Sequence, residues 1–246
     1  MTKPGWKKAT VKLGSVERLS NFSAVLEPGT ITGLIGPNGA GKTTAIRALA
    51  GLVELSSGAV ILPGDDEAST AYLPQSRPIA WNLEVRDVVA IGLTAGRQVF
   101  AQLSTDRQKA VLQGLKQADA STLASRNMLE LSGGEQARVH LARLFATSAP
   151  LLILDEPLTG LDPAHQIDVL DGLAAQAQAG RTVLIAMHDL SAAECYCDRL
   201  LVLENGSGIA DLSPAQIPED ILAKVFGLTR AAGELFVRSA RMSPAP

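Results

Sequence analysis

The stretch GPNGAGKT, Gly36 to Thr43, sets a lysine and a threonine directly behind a glycine-rich run. Glycines let a backbone wrap closely round a phosphate, because no Cβ intrudes. Lys42 would reach the β- and γ-phosphates of a nucleotide, and the Thr43 hydroxyl would ligate Mg²⁺. The spacing G-x-x-x-x-G-K-[ST] is met by Gly36, Gly41, Lys42 and Thr43. The same residues also suit a plain glycine-rich turn that caps a helix. A second candidate is LLILDEP, Leu151 to Pro157, an apolar run ending in two carboxylates. Asp155 would hold Mg²⁺ through water, and Glu156 could polarise an attacking water. Its plainer reading is a pair of solvated turn acids. A third is LSGGEQ, Leu131 to Gln136. Ser132 and Glu135 have the spacing of a capping box. Two consecutive glycines weaken a helix start, however, and with Ser132 they would make a second phosphate-binding surface. If the two phosphate-binding ends lie on opposite edges, two chains must face each other head to tail, each completing the other's site.

These residues need a scaffold, and the flanking sequence describes one. Ile31, Leu34 and Ile35 read as a short buried strand before the first motif, and Thr43 onward reads as a helix with Ile46, Leu49 and Ala50 at helical spacing. A loop between a strand end and a helix start collects free N–H groups and the positive end of the helix dipole. LLILDEP, TVLIAMHD and RLLVLENG are further apolar strands, alternating with the helices QARVHLARLFAT and PAHQIDVLDGLAAQAQ. Strands apolar on both faces and alternating with helices predict a parallel sheet covered by helices. Residues 9 to 30 read as short strands, residues 58 to 75 as β-like, and Ser76 to about Gly134 as an inserted helical subdomain. The stretch SPAQIPEDILAKVFGL reads as a helix packed on the edge.

Composition narrows the choices. With 246 residues, 46% hydrophobic and 19% charged, the chain can bury a substantial core. A net charge of -3 with scattered Lys and Arg argues against nucleic acid as the main partner. No apolar run approaches the roughly 18 residues of a membrane span. MTKPGWKKATVK is not followed by an apolar segment, so no secretory signal is expected and the chain should stay in the cytosol. Cys195 and Cys197, two residues apart, are expected as reduced thiols, and with three histidines a structural zinc site is disfavoured.

Taken together, the motifs resemble the nucleotide-binding subunit of ATP-binding cassette (ABC) transporters. GPNGAGKT matches the Walker A motif, LSGGE the family signature, LLILDEP Walker B, GLDP at Gly160 to Pro163 the D-loop, Gln75 in AYLPQ the Q-loop, and His188 in AMHD the switch histidine. They occur in the family's order across roughly residues 10 to 228. The resemblance implies an α/β fold: a RecA-like P-loop NTPase core with a small antiparallel β subdomain (1–75 and 135–246) and an inserted α-helical subdomain (76–134). It implies ATP and Mg²⁺ as cofactors. Gly36, Asn38, Gly39, Ala40, Gly41, Lys42, Thr43 and Thr44 would hold the phosphates. Thr43 and Gln75 would ligate Mg²⁺, and Asp155 would orient it. Glu156 would be the general base. His188 would contact the γ-phosphate and the partner's D-loop near Asp162. Ser132, Gly133 and Gly134 would contact the nucleotide held by the other subunit of a homodimer. Hydrolysis would remove the γ-phosphate that joins the two chains. Of the other histidines, His140 and His165 are expected as ordinary satisfied residues.

The chain departs from the family's pattern at Leu13, where an aromatic residue often stacks on adenine. Somewhat weaker ATP affinity and looser base selectivity are expected. The link from Gly58 to Gln75 is also short, as if the β subdomain lacked a hairpin. Because the chain holds only the ATPase, transmembrane permease subunits are expected as separate polypeptides, with an extracytoplasmic substrate-binding protein beyond them. That places the chain peripherally on the cytoplasmic face of the inner membrane. Trp81 and Val85 are candidate contacts for the permease. The texture of AYLPQ, RPIAWNLEVRDVVAIG and VFGL resembles ATPases of type II importers of iron-siderophore, haem or cobalamin complexes. Another ABC importer or exporter class, or a non-transport ABC ATPase, remains the alternative.

Overall fold

Strict alternation of buried side chains organises the central sheet. A computed structural model describes residues 2–64, 69–75, 82–93, 104–230 and 236–238. In chain order its strands and helices are β1 (Gly5–Leu13), β2 (Val16–Val25), β3 (Ile31–Ile35), α1 (Lys42–Leu49), β4 (Ser57–Ile61), β5 (Thr70–Leu73), α2 (Val85–Ile91), α3 (Thr105–Gln117), α4 (Gly133–Phe145), β6 (Leu151–Asp155), α5 (Pro163–Gln178), β7 (Thr182–Ala186), α6 (Leu190–Tyr196), β8 (Arg199–Glu204), β9 (Ser207–Leu212), β10 (Leu228–Arg230) and β11 (Phe236–Arg238).

The main sheet has the order β5-β6-β7-β3-β8-β9. Every pairing in it is parallel except β8 with β9. Leu152, Leu154, Val183, Ile185, Leu200 and Val202 join the core on one face, with residues of α2 to α6. Leu151, Ile153, Leu184, Ala186, Leu201 and Leu203 join the core on the other face, with Ala45, Ile46 and Leu49 of α1. Successive strand residues therefore serve opposite cores, which is why these strands read as unbroken apolar runs.

The antiparallel sheet β2-β1-β4 closes over α1 from the far side. Trp6 anchors it: the indole N–H donates to the Ala45 carbonyl at 3.0 Å, and the ring meets Phe22 edge-on with centroids 5.0 Å apart. The helix that follows the glycine-rich loop is thus clamped between two sheets.

Several expectations need correction. The segment read as short strands forms two long ones, of 9 and 10 residues, because bulges in the pairing keep the register while the polar outer face breaks the apolar pattern. The sequence pattern passes over a strand after RLLVLENG: Asn205 and Gly206 turn the chain into antiparallel β9. The last edge segment is not one helix. Pro218 follows a 3₁₀ turn at Pro214–Gln216, and a single turn at Glu219–Ile221 passes into a π-helix at Leu222–Phe226. The hairpin of β10 and β11 comes next. Val85 is fully buried in the helical core and is not a surface contact, whereas Trp81 lies outside the described residues. α4 packs against α2 and α3 and also meets α5 and β5. Cys195 is exposed and Cys197 buried, both as free thiols; burial pushes the Cys197 thiol up to about 12.

Candidate nucleotide site

Four neighbouring strands deliver the candidate residues to one edge. β5, β6, β7 and β3 lie side by side and parallel, so their carboxyl ends point the same way. Gln75 follows β5, Asp155 and Glu156 end β6, His188 follows β7, and the glycine-rich loop follows β3. Ligand sites of open parallel sheets lie at this edge.

The loop's glycines have steric reasons. Gly36 has φ +152°, and a Cβ there would fall 2.2 Å from the Leu203 carbonyl oxygen. Gly41 has φ +102°, and a Cβ would fall 2.6 Å from the Arg18 carbonyl. The tight path turns the chain into α1 with Gly41 as N-cap. Among the described residues no side chain caps α1 or α2, and the first turn of α1 carries no acid whereas that of α2 carries Asp87. By contrast, α3, α4, α5 and α6 are each capped by a side chain, from Ser104, Ser132, Asp162 and Asp189. The positive end of the α1 dipole is left for an external anion.

Lys42 is 5% exposed. Its ammonium donates to the carbonyls of Gly36 at 2.8 Å and Pro37 at 3.1 Å. Burial lowers its pKa, against the pull of Glu156 and Asp155. A cleft of about 300 Å³ is lined by Leu13, Arg18, Asn38 to Thr44 and Glu156. Leu13 lines this cleft and is half exposed beside the loop. Arg18 was not anticipated; only its proximity in the fold reveals it.

The carboxylates form a connected set. The Thr43 hydroxyl donates to Asp155 Oδ1 at 3.2 Å. Asp155 is 1% exposed, and its Oδ2 has no hydrogen-bond partner among the described residues. Burial raises the Asp155 pKa, and nearby Glu156 adds to the rise against the Thr43 hydrogen bond. Gln75 donates through Nε2 to Glu156 Oε2 at 2.6 Å, and His188 Nε2 meets Glu156 Oε1. Glu156 adopts φ +49°, a strained value for this residue type. Gln75 and His188, which follow different strands, thus converge on the Glu156 carboxylate. The oxygens of Thr43, Asp155 and the Gln75 amide are the donors a hard divalent cation takes, and the open Asp155 Oδ2 fits Mg²⁺.

That open oxygen has a consequence for stability. A carboxyl raised above its unfolded pKa costs folding free energy once the pH exceeds the unfolded value, with the full cost above the folded one. Asp155→Asn is expected to raise the thermal midpoint of the nucleotide-free chain at pH 8. The expected gain is about 2–4 °C for ~1 kcal/mol, shrinking as the pH falls towards the carboxylate range. Differential scanning fluorimetry across pH checks it; an unchanged or lower midpoint at pH 8 contradicts it.

Ser132, Gly133 and Gly134 do not line this cleft. Ser132 caps α4 in a full capping box: its hydroxyl accepts from Glu135 N–H, and Glu135 Oε2 accepts from Ser132 N–H at 2.8 Å. The Ser132 N–H and the Ser132 hydroxyl, which donates to Glu135 Oε2 at 2.9 Å, hold Glu135 below its ordinary pKa together with the Arg126 charge. Gly133 has open space above it. Gly134 lies under the ring of His165, which also contacts Asp162. His165 is thus satisfied, as expected, but its place against the LSGGE glycine was not foreseen.

A glycine-rich loop clamped at the end of a parallel strand, an uncapped helix, a buried lysine and a buried acid define a P-loop nucleotide-binding cassette. The family model described as ABC transporter matches residues 19–159. The chain is 40% identical over 238 residues to the hemin import ATP-binding protein HmuV of Pseudomonas aeruginosa, covering 89% of this chain and 90% of that one. It is 39% identical over 257 residues to the protein of the same name from Bordetella avium, covering 93% and 96%. A solved ATP-binding subunit of an ABC transporter superposes with TM-score 0.75 at 26% identity, covering 92% and 94%. An ABC transporter cassette in its ADP conformation gives TM-score 0.80 at 23% identity, covering 91% and 96%. This chain belongs to the ABC transporter ATP-binding family, whose cassettes bind ATP and hydrolyse it to drive transport.

Proposed function

We propose that this chain powers the import of haem, or of a chemically similar metal chelate, through a separate membrane permease. The observation that carries the reading is its identity of 37–41%, over about nine-tenths of both chains, with proteins named hemin import ATP-binding protein. It works as a homodimer on the cytoplasmic face of the membrane, fed by an extracytoplasmic substrate-binding protein. A solved neighbour of this fold is described as a dimeric bacterial ABC transporter cassette, which supports the pairing. Among the described residues no helix is long and apolar enough to cross a membrane, which suits a peripheral subunit. Residues 1–75 and 135–246 act as the catalytic core, and 76–134 face the permease.

In this reading the α1 N-terminus and the amides of Asn38 to Thr44 bind the phosphates. Lys42 exchanges the carbonyls of Gly36 and Pro37 for phosphate oxygens, a stronger charge-assisted partner. Thr43 and Gln75, with Asp155 through water, would hold Mg²⁺, which would supply neutralisation of phosphate charge. Glu156 accepts the proton of the attacking water, and His188 orients that water and the γ-phosphate. Glu156 accepts a hydrogen bond from Gln75 and contacts His188, and both neighbours hold this base in position. Ser132, Gly133 and Gly134 of the partner subunit close over the same γ-phosphate, beside the D-loop at Asp162.

Two tests apply. Deleting the gene is expected to abolish growth on haemin as the iron source while sparing growth on ferric salts. A strain that grows normally on haemin contradicts the substrate assignment. Leu13→Tyr is expected to tighten ATP binding about fivefold, from ~1 kcal/mol of stacking, and to sharpen preference for ATP over GTP. Unchanged affinity in a fluorescent-nucleotide titration would show that Leu13 does not face adenine.

A further inference from the structure

One histidine outside the catalytic set joins two loops that the proposed function places against the partner's nucleotide. The His165 ring contacts Asp162 through Nδ1 and Oδ2 at 2.6 Å. Its backbone N–H donates to the other oxygen, Oδ1, at 3.1 Å, which makes Asp162 the N-cap of α5. The opposite edge of the ring lies over Gly134. A Cβ on Gly134 would fall 2.5 Å from His165 Cδ2 and Nε2. The ring therefore fills the space a side chain at 134 would occupy, which gives Gly134 a reason within one chain. Ser132 and Glu135 satisfy the cap of α4 without any help from Gly134. Gln166 adds a second brace, donating from Nε2 to the Leu161 carbonyl at 3.0 Å.

We infer that His165 is a positioning residue that locks the start of α4, at Gly134, to the turn at Asp162, so that both surfaces close on the partner's nucleotide as one rigid unit. It acts through Gly134 and Asp162 and touches no nucleotide itself. The inference rests on the shared-site reading of Ser132 to Gly134 and Asp162. Its physical content is the cost of closure. If the two segments move independently, each must be ordered separately when the dimer forms, and that ordering opposes association. A preset spacing avoids this cost. It leaves nucleotide binding to a single chain unaffected, because the cleft beside Lys42 lies elsewhere.

The test uses the full chain carrying Glu156→Gln, so that ATP is not consumed. Two quantities are measured: fluorescent-ATP affinity at protein concentrations where the chain is monomeric, and the ATP-dependent dimerisation midpoint by sedimentation. Adding His165→Ala is expected to leave the first unchanged and to raise the second about tenfold. His165→Asn keeps a donor for Asp162 but withdraws the side chain from Gly134. It is expected to shift the midpoint nearly as far, and it guards against a fold defect specific to the alanine variant. An equal loss in monomer ATP binding would mark a general structural defect and overturn the inference. Dimerisation by either variant at the parent's midpoint would overturn it as well. A parent that stays monomeric with ATP would instead remove the shared site, and this inference with it.

Discussion

Glu156→Gln is expected to lower ATP turnover by about 10²–10⁴-fold while leaving ATP binding intact. The carboxylate sits at the end of β6, directly after the buried acid that suits Mg²⁺, and accepts a hydrogen bond from Gln75. Its unusual backbone, φ +49°, holds it off the strand's path. The amide of glutamine occupies nearly the same volume and can still engage Gln75 and His188. It cannot take a proton from water. The expected separation is therefore a collapse of phosphate release, measured with a coupled assay, with an unchanged Kd for fluorescent ATP. Turnover within threefold of the parent would exclude Glu156 as the base.

Lys42→Ala is expected to cost about 10²–10³-fold in kcat/KM for ATP, because it removes the one buried ammonium of the glycine-rich loop. That ammonium is buried and, among the described residues, donates to the carbonyls of Gly36 and Pro37. An anion is a far better partner for it than a neutral carbonyl, so much of its interaction energy is realised only with phosphate bound. Lys42→Arg is not expected to restore activity, because the larger planar guanidinium has no room at a site that is 5% exposed. Recovery of half the parent activity by arginine would show that charge alone suffices there.

The nucleotide site was legible in the sequence where the chemistry is local. The loop's glycines, Lys42 and Thr43 are contiguous, and steric demand at Gly36 and Gly41 admits almost no other residue. The parallel strands were legible because both faces are buried, which leaves uninterrupted apolar runs such as LLILD. What escaped was set by tertiary contacts or by mixed patterns. β1 and β2 carry exposed polar residues on one face and bulges in their pairing, so their length did not show. Val85 begins α2 in a stretch that reads as surface, yet it is fully buried. The packing of His165 on Gly134 joins residues 31 positions apart, and no local pattern encodes it. Gln75, Glu156 and His188 were each marked by their motifs, but their meeting on one carboxylate follows only from the strand order.

The central claim is that ATP joins two copies of this chain, with Ser132 of one subunit closing the site built around Lys42 of the other. Light scattering after size exclusion on Glu156→Gln, with and without ATP and Mg²⁺, tests it most directly, with Glu156→Gln/Ser132→Arg alongside. The account predicts a monomer without nucleotide, a dimer with it, and a monomer under both conditions once Ser132→Arg is added. A dimer that forms without ATP, or one that Ser132→Arg leaves intact, would contradict it.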